Sequence, residues 1–333
     1  MVHFDFLIST ERSGSNLLTR IMDAHSSICG PPPAHLIRIL NNNRLNYGNL
    51  NVDENWNALL DDTADLLKNQ LGEWKISVTQ NWLHETISVR SLPAVIKSIF
   101  TAEAHAHGKS RLFVKENQAY HLAAFYLAHF KDCRFVHLVR DPRDMALSWK
   151  LSVNHPGGVV RAARVWQTDQ NLTMILESCI KDTNRFYRIR YEDLLGNSKN
   201  TLKELCEFLN IDIEENMLFF NENGHTRHNA NRIKDWENLG KPLLKNNYNK
   251  YSKCLSREEI ICIETVCGVN MRKLGYQPDY PTHILTKEQE NELNRIENDP
   301  MHPSSELSEK ETEIRKGRLA VIHRIASRTP FDN

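Results

Sequence analysis

The chain has 333 residues, 40% of them hydrophobic, which is enough for one large α/β domain or two small ones with a real core. Lys plus Arg and Asp plus Glu balance at 42 each, which argues against a protein that coats nucleic acid or an anionic membrane, so any anion site has to be local. The seven cysteines form no CxxC pair and suit reduced thiols rather than a zinc centre, and no run reaches the roughly 18 apolar residues of a membrane span.

The apolar run Phe4 to Ile8 predicts a strand, and Leu17, Leu18, Ile21 and Met22 are spaced for one face of a helix. A strand starting this close to Met1 leaves no room for a signal peptide, so a cytoplasmic protein is expected. Between strand and helix lies Ser9-Thr10-Glu11-Arg12-Ser13-Gly14-Ser15-Asn16, whose small side chains let a ligand approach the backbone N–H groups at the helix start. Those groups, the helix dipole and Arg12 make an anion site. An NTP-binding loop reads G-x-x-x-x-G-K-[ST]; counting back from Gly14 puts Ser9 at the first glycine and Ser15 at the lysine. With the cation two residues before the glycine, the expectation is a phosphate-binding loop that does not hydrolyse NTP. The bland alternative is a tight strand-to-helix turn with no ligand.

Next comes Cys29-Gly30-Pro31-Pro32-Pro33-Ala34-His35, a stiff loop at the rim of the sheet. Helices are predicted over 36–41, 55–71 and 91–107, the last with Pro93 in its first turn. A strand over 111–115 precedes a helix over 118–130, and Arg134 to Arg140 is the clearest buried strand after the first. It runs into Asp141-Pro142-Arg143-Asp144, a second strand-turn-helix unit. A long helix over 159–180, a fourth strand over 186–190 and a helix over 198–209 follow. This alternation predicts a parallel sheet covered on both faces, with the ligand at the carboxyl ends of the strands, where Arg12, Lys115 and Arg140 fall. Residues 221–253 read as a long loop around Trp236, and a helix over 256–267 with Met271 to Tyr276 closes the domain. The expected division is a domain over 1–282 and a charged helical extension over 283–333, with helices at 286–298 and 305–327 and a capping box at Ser308 and Glu311. The apolar face of the tail suits packing on the domain, on a partner or on a second copy. His105 and His107 read as an exposed helix end, and His225 and His228 as loop residues, rather than as metal sites.

The two strand-turn-helix units carry a resemblance to sulfotransferases that use 3′-phosphoadenosine 5′-phosphosulfate (PAPS). Ile8 to Leu18 with Asp23-Ala24-His25 resembles that family's 5′-phosphosulfate loop, and Phe135 to Asp144 with Ser148 resembles its 3′-phosphate-binding strand and helix. Arg190-Tyr191-Glu192-Asp193-Leu194 and Leu274-Gly275-Tyr276 are similar to further landmarks. The resemblance spans about 4–280 and implies a P-loop-like, three-layer α/β fold, a parallel sheet flanked by helices, with the C-terminal helical extension uncovered.

By the same resemblance Arg12 contacts the 5′-phosphate while Ser13, Gly14, Ser15 and Asn16 wrap it, Arg140 and Ser148 hold the 3′-phosphate, and Tyr191 lies near the nucleoside. Lys115 resembles the lysine placed beside the sulfuryl group, although Glu116-Asn117 departs from the usual neighbourhood. The loop around Ile233-Lys234-Asp235-Trp236 and Lys241 is a candidate to close over the cofactor. The chemistry needs fixed cations at an in-line displacement, here Arg12 and Lys115 without a metal, and a base for the acceptor's proton. His35 is the first choice, with an ordinary pKa of about 6.5, and Glu116 the second. The implied activity is sulfuryl transfer from PAPS to a hydroxyl or amine of a carbohydrate, lipid, small molecule or peptide, leaving adenosine 3′,5′-bisphosphate (PAP). A nucleotide-binding or scaffold protein without catalysis is the alternative. A P-loop kinase is opposed by the missing Gly-Lys pair. No nucleic-acid partner is expected, and the C-terminal helices suit a homo-oligomer contact.

Overall fold

The computed structural model describes residues 2–152, 154–281, 285–298 and 307–331. Five parallel strands form one sheet in the order β2-β3-β1-β4-β5: β1 His3–Ser9, β2 Ile28–Cys29, β3 Arg111–Lys115, β4 Arg134–Val139 and β5 Phe186–Arg190. The two-residue β2 was not expected; Ile28 and Cys29 pair with Arg111 and Leu112 just before the prolines, which cannot extend a ladder. Strand alternation divides the interior. Phe4, Phe6 and Ile8 face one apolar cluster, and Leu7 faces the other with Val136 and Leu138.

Helices α1 (Ser15–Asp23), α9 (Tyr191–Gly196) and α10 (Ser198–Leu209) cover the second face. The first is covered by α2 (Leu36–Asn42), α3 (Asp53–Lys68), α4 (Gln80–Thr86), α5 (Leu92–Ala106) and α6 (Ala123–His129). A separate cluster is built where α7 (Pro142–Lys150) and α8 (Gly158–Ile180) meet a later helix, α13 (Arg257–Lys273). Pro93 sits in the first turn of α5 behind the Ser91 cap, as its ring requires, and Asp141 caps α7 by accepting from the Arg143 amide at 2.9 Å.

The stretch read as a loop over 221–253 is folded more tightly than its composition suggested. It holds α11 (Gly224–Ala230), a 3-10 turn over Lys234–Gly240 and α12 (Tyr251–Cys254). Asn223 supplies the missing signal, its side chain accepting from the His225 and Thr226 amides at the start of α11. His107 is not an exposed helix end either. It bonds Glu103 at 3.0 Å and meets the His225 ring edge-on.

After α13 come α14 (Lys287–Glu297) and α15 (Glu309–Ala326). Residues 282–284, 299–306 and 332–333 fall outside the described residues, and with them the proposed boundary at 282/283. The apolar face of α15 is used within the chain: Val321 and Ile325 join the cluster under α3. Asp62, fully buried, accepts from Tyr47 Oη at 2.9 Å and Arg324 Nε at 2.8 Å, and also pairs with Arg328. The backbone of Phe331 exchanges hydrogen bonds with Asn55.

Candidate active site

Because β1 lies between β3 and β4, the loops leaving those strands converge at one edge of the sheet. The loop after β1 turns at Gly14, where φ is +91°. An added Cβ there would lie 2.4 Å from the ring of Tyr191, so glycine is required both by conformation and by space. Tyr191 in turn stacks on the Arg140 guanidinium at 4.4 Å and accepts from Asn247 at 2.9 Å. Arg140, buried at the end of β4, donates to the Arg12 carbonyl at 2.9 Å. Arg12 Nε donates to Ser148 on α7 at 3.2 Å.

These side chains line one cleft. Arg12, Gly14, Ser15, Asn16, Arg140, Ser148 and Tyr191 share a cavity of about 520 Å³ with Leu243, Asn247 and Lys250 from the segment beyond α11. Ser13 is buried within the loop beside it. Ser9 Oγ, Ser13 Oγ, Asn16 Oδ1 and Arg140 Nε are buried polar atoms without a hydrogen-bond partner among the described residues. Native proteins keep few such atoms; here the two serine hydroxyls and the Arg140 Nε–H are donors near Arg12 and a helix start, the chemistry that holds phosphate, whereas Asn16 Oδ1 can only accept. The residues therefore fit a ligand with two separated anionic groups. Arg143, by contrast, is a structural member of the Asp141-Pro142-Arg143-Asp144 turn, held by Asp141, Glu264 and Asp279.

The other predicted residues lie on the far side of β1 and do not line this cleft. Lys115 ends β3, 8% exposed, and its Nζ makes no hydrogen bond or close ion pair among the described residues. Burial lowers its pKa to about 8, with Glu11 and Glu116 opposing. Glu116 is buried, and its Oε1 accepts from the Ile37 amide at 3.1 Å, which ties α2 to the end of β3. Burial pushes the Glu116 carboxyl up to about 7 against the pull of Arg38, that amide, Lys115 and Arg318. His35 Nδ1 faces Glu116 Oε2 at 3.5 Å. Burial, then the charges of Lys115, Arg38 and Arg318, hold the imidazole well below its ordinary value. The ordinary pKa expected for His35 is therefore corrected downward.

Three residues given no role of their own at the sequence level complete the edge. Glu11 accepts from His155 at 2.9 Å and from Asn117, and His155 continues to Ser152 at 2.7 Å. Burial works to raise the Glu11 pKa, but His155, Lys115 and Arg38 together bring it below the usual range. Asp235 pairs with Arg12 at 3.1 Å, so the 3-10 turn predicted to close over the site reaches the loop cation. A local signal for Glu11 was present in its position next to Arg12, whereas Asp235 and His155 arrive from distant segments.

Backbone strain marks the same edge. Arg12, His35 and Gln118 hold φ of 65°, 51° and 56°, a left-handed conformation uncommon outside glycine, in the loops after β1, β2 and β3.

Among solved structures, the sulfotransferase domain from the curacin biosynthetic pathway matches with 20% identity and a TM-score of 0.57, over 83% of this chain and 99% of that one. The sulfotransferase domain of the Synechococcus PCC 7002 olefin synthase matches with 18% identity and a TM-score of 0.54, over 79% and 94%. Likeness of this kind defines the class by its fold, that of sulfotransferases. The sequence profile of the Sulfotransferase family matches residues 6–215, and the chain belongs to that family. The search of curated proteins found no match.

Proposed function

We propose that the protein transfers the sulfuryl group of PAPS to a hydroxyl or amine of an acceptor, as a cytoplasmic enzyme. The observation that carries this reading is the placement of Arg12, Arg140 and Ser148 around orphaned loop donors on one side of β1, with Lys115 and the His35–Glu116 pair on the other. PAPS, when bound, supplies an activated sulfuryl group and a phosphate leaving group. Arg140 and Ser148 hold the 3′-phosphate, and Tyr191 packs against the arginine that does so. Ser13, Gly14, Ser15 and Asn16 receive the 5′-phosphate through backbone and side-chain donors, and Arg12 exchanges Asp235 for that anion. Lys115, charged below about pH 8, offsets negative charge on the transferring group.

The proton of the acceptor goes to the His35–Glu116 pair. A neutral imidazole accepts at Nε2, which makes no hydrogen bond among the described residues, while the neighbouring carboxyl faces Nδ1. No helix among the described residues is long and apolar enough to cross a membrane, and no cysteine is in a disulfide. The test compares PAP with ATP by thermal shift and follows label from ³⁵S-PAPS into extract acceptors with and without EDTA. Stabilisation by PAP beyond that by ATP, with EDTA-resistant transfer, is expected. Equal stabilisation, or transfer restored only by Mg²⁺, overturns the assignment.

A further inference from the structure

The family match ends at residue 215, yet the C-terminal helix reaches both walls of the site. Arg318 on α15 is 7% exposed, and its guanidinium donates to the Leu66 carbonyl at 3.1 Å and to the Ala34 carbonyl. Ala34 immediately precedes His35, whose φ of 51° needs support from its surroundings. Seven residues earlier on the same helix, Glu311, 2% exposed, accepts from the Lys234 amide at 3.1 Å, next to Asp235 on Arg12. Burying two charged side chains is costly unless each finds its partners. Both find backbone groups of the loops that carry site residues.

We propose that α15 belongs to the catalytic apparatus: Arg318 is a positioning residue that sets the backbone and charge environment of His35, and Glu311 fastens the turn that carries Asp235. This rests on the reading of His35 as the base. The charged and titratable groups facing His35 are Glu116 and Lys115 from the end of β3, Arg38 from α2 and Arg318 from α15. Arg318 is the member of that set contributed from outside the family match. A purely structural arginine would hold α15 to α3 and leave the imidazole unaffected. A positioning arginine must change both its titration and its work.

The experiment uses the full chain with ¹³C-labelled histidine, the His35 resonance being assigned by its loss in His35→Asn. Arg318→Met is expected to raise the His35 titration midpoint by about half a pH unit or more, since a neighbouring positive charge disfavours the imidazolium. Release of labelled sulfuryl from PAPS to water should fall roughly tenfold, as expected for a displaced reacting group, while PAP affinity stays within about threefold. Arg318→Lys, which keeps the charge, should return the midpoint to the wild-type position. If the methionine variant does not fold, Arg318→Gln, neutral but able to donate to the Ala34 carbonyl, takes its place: a raised His35 midpoint is expected, and an unmoved one overturns the proposal. In Glu311→Ala, amide hydrogen exchange should rise at Lys234 to Trp236. An unmoved His35 midpoint with unchanged turnover in a folded Arg318→Met protein overturns the proposal. So does an equal loss of PAP affinity and turnover. If PAP fails to bind the wild type, the sulfotransferase reading falls, but the histidine titration still reports whether Arg318 governs His35.

Discussion

The two sides of β1 are built differently. Toward β4, Arg12 and Arg140 follow directly on their strands and Ser148 stands on the helix after β4, all facing an open cleft, so each can be placed from its own segment. Toward β3, Lys115 and Glu116 are buried at the end of the strand and the half-buried His35 faces Glu116, and their environment comes from α2, the proline loop and the C-terminal helix. The difference teaches where local motif suffices. Anion binding needs donors that a strand-turn-helix unit supplies by itself, whereas proton transfer needs shifted pKa values, and those depend on distant packing.

The sharpest test of this contrast is His35→Ala, expected to lower turnover by roughly 10²–10⁴-fold while PAP affinity barely changes. Calorimetric titration with PAP beside labelled turnover measures both. Parallel losses would erase the distinction between the sides. The pH profile identifies which partner accepts the proton. If His35 is the accepting group, the acid limb lies well below its ordinary pKa, because burial and nearby cations depress it. If Glu116 is, turnover falls as pH drops through about 7, where its raised pKa protonates the carboxyl. Either way turnover should decline above about pH 8 as Lys115 loses its proton.

On the cofactor side, Arg12→Ala and Arg140→Ala should each cost on the order of 1.5–3 kcal/mol of PAP binding, the loss of a charge-assisted contact. Unchanged affinity in Arg140→Ala would remove the 3′-phosphate assignment. Asp62→Ala addresses the tail behind the buried side. It removes the carboxylate shared by Tyr47, Arg324 and Arg328, and about 2 kcal/mol of stability should go in urea unfolding, because the two arginines are partly exposed and can reach water. The smallest effect is expected at Asp235→Asn. Freeing Arg12 from a partly exposed carboxylate should tighten PAP by about 1 kcal/mol, and weaker binding would show that Asp235 supports the site instead of competing for it.

Much of the sheet was legible because buried parallel strands read as apolar runs: Phe4 to Ile8 and Phe135 to Val139 need no context to be found. Ile28–Cys29 escaped because two residues carry no period. The segment after residue 221 was read as loop because Asn, Gly and His are weak helix formers, and the Asn223 cap outweighed their composition. At the site, Arg12 and Arg140 were visible in their motifs, while the low His35 pKa was not, since it comes first from burial in the folded chain and then from Lys115, Arg38 and Arg318, which only packing brings together. Asp235 was named only as part of a closing turn. Its partner Arg12 could be identified only once the chain had folded.

The left-handed conformations of Arg12, His35 and Gln118 also bear on how this chain can change under selection. A left-handed side chain costs roughly 1–2 kcal/mol relative to the usual conformation, so glycine relieves strain at each position, less its own entropic cost. At Gln118, which has no assigned chemistry, that relief is available to drift. At Arg12 and His35 it would erase the group the reaction uses. A library selected for heat tolerance alone should therefore collect glycine or asparagine at all three sites, while one selected for turnover as well should keep arginine at 12 and histidine at 35 and vary only 118.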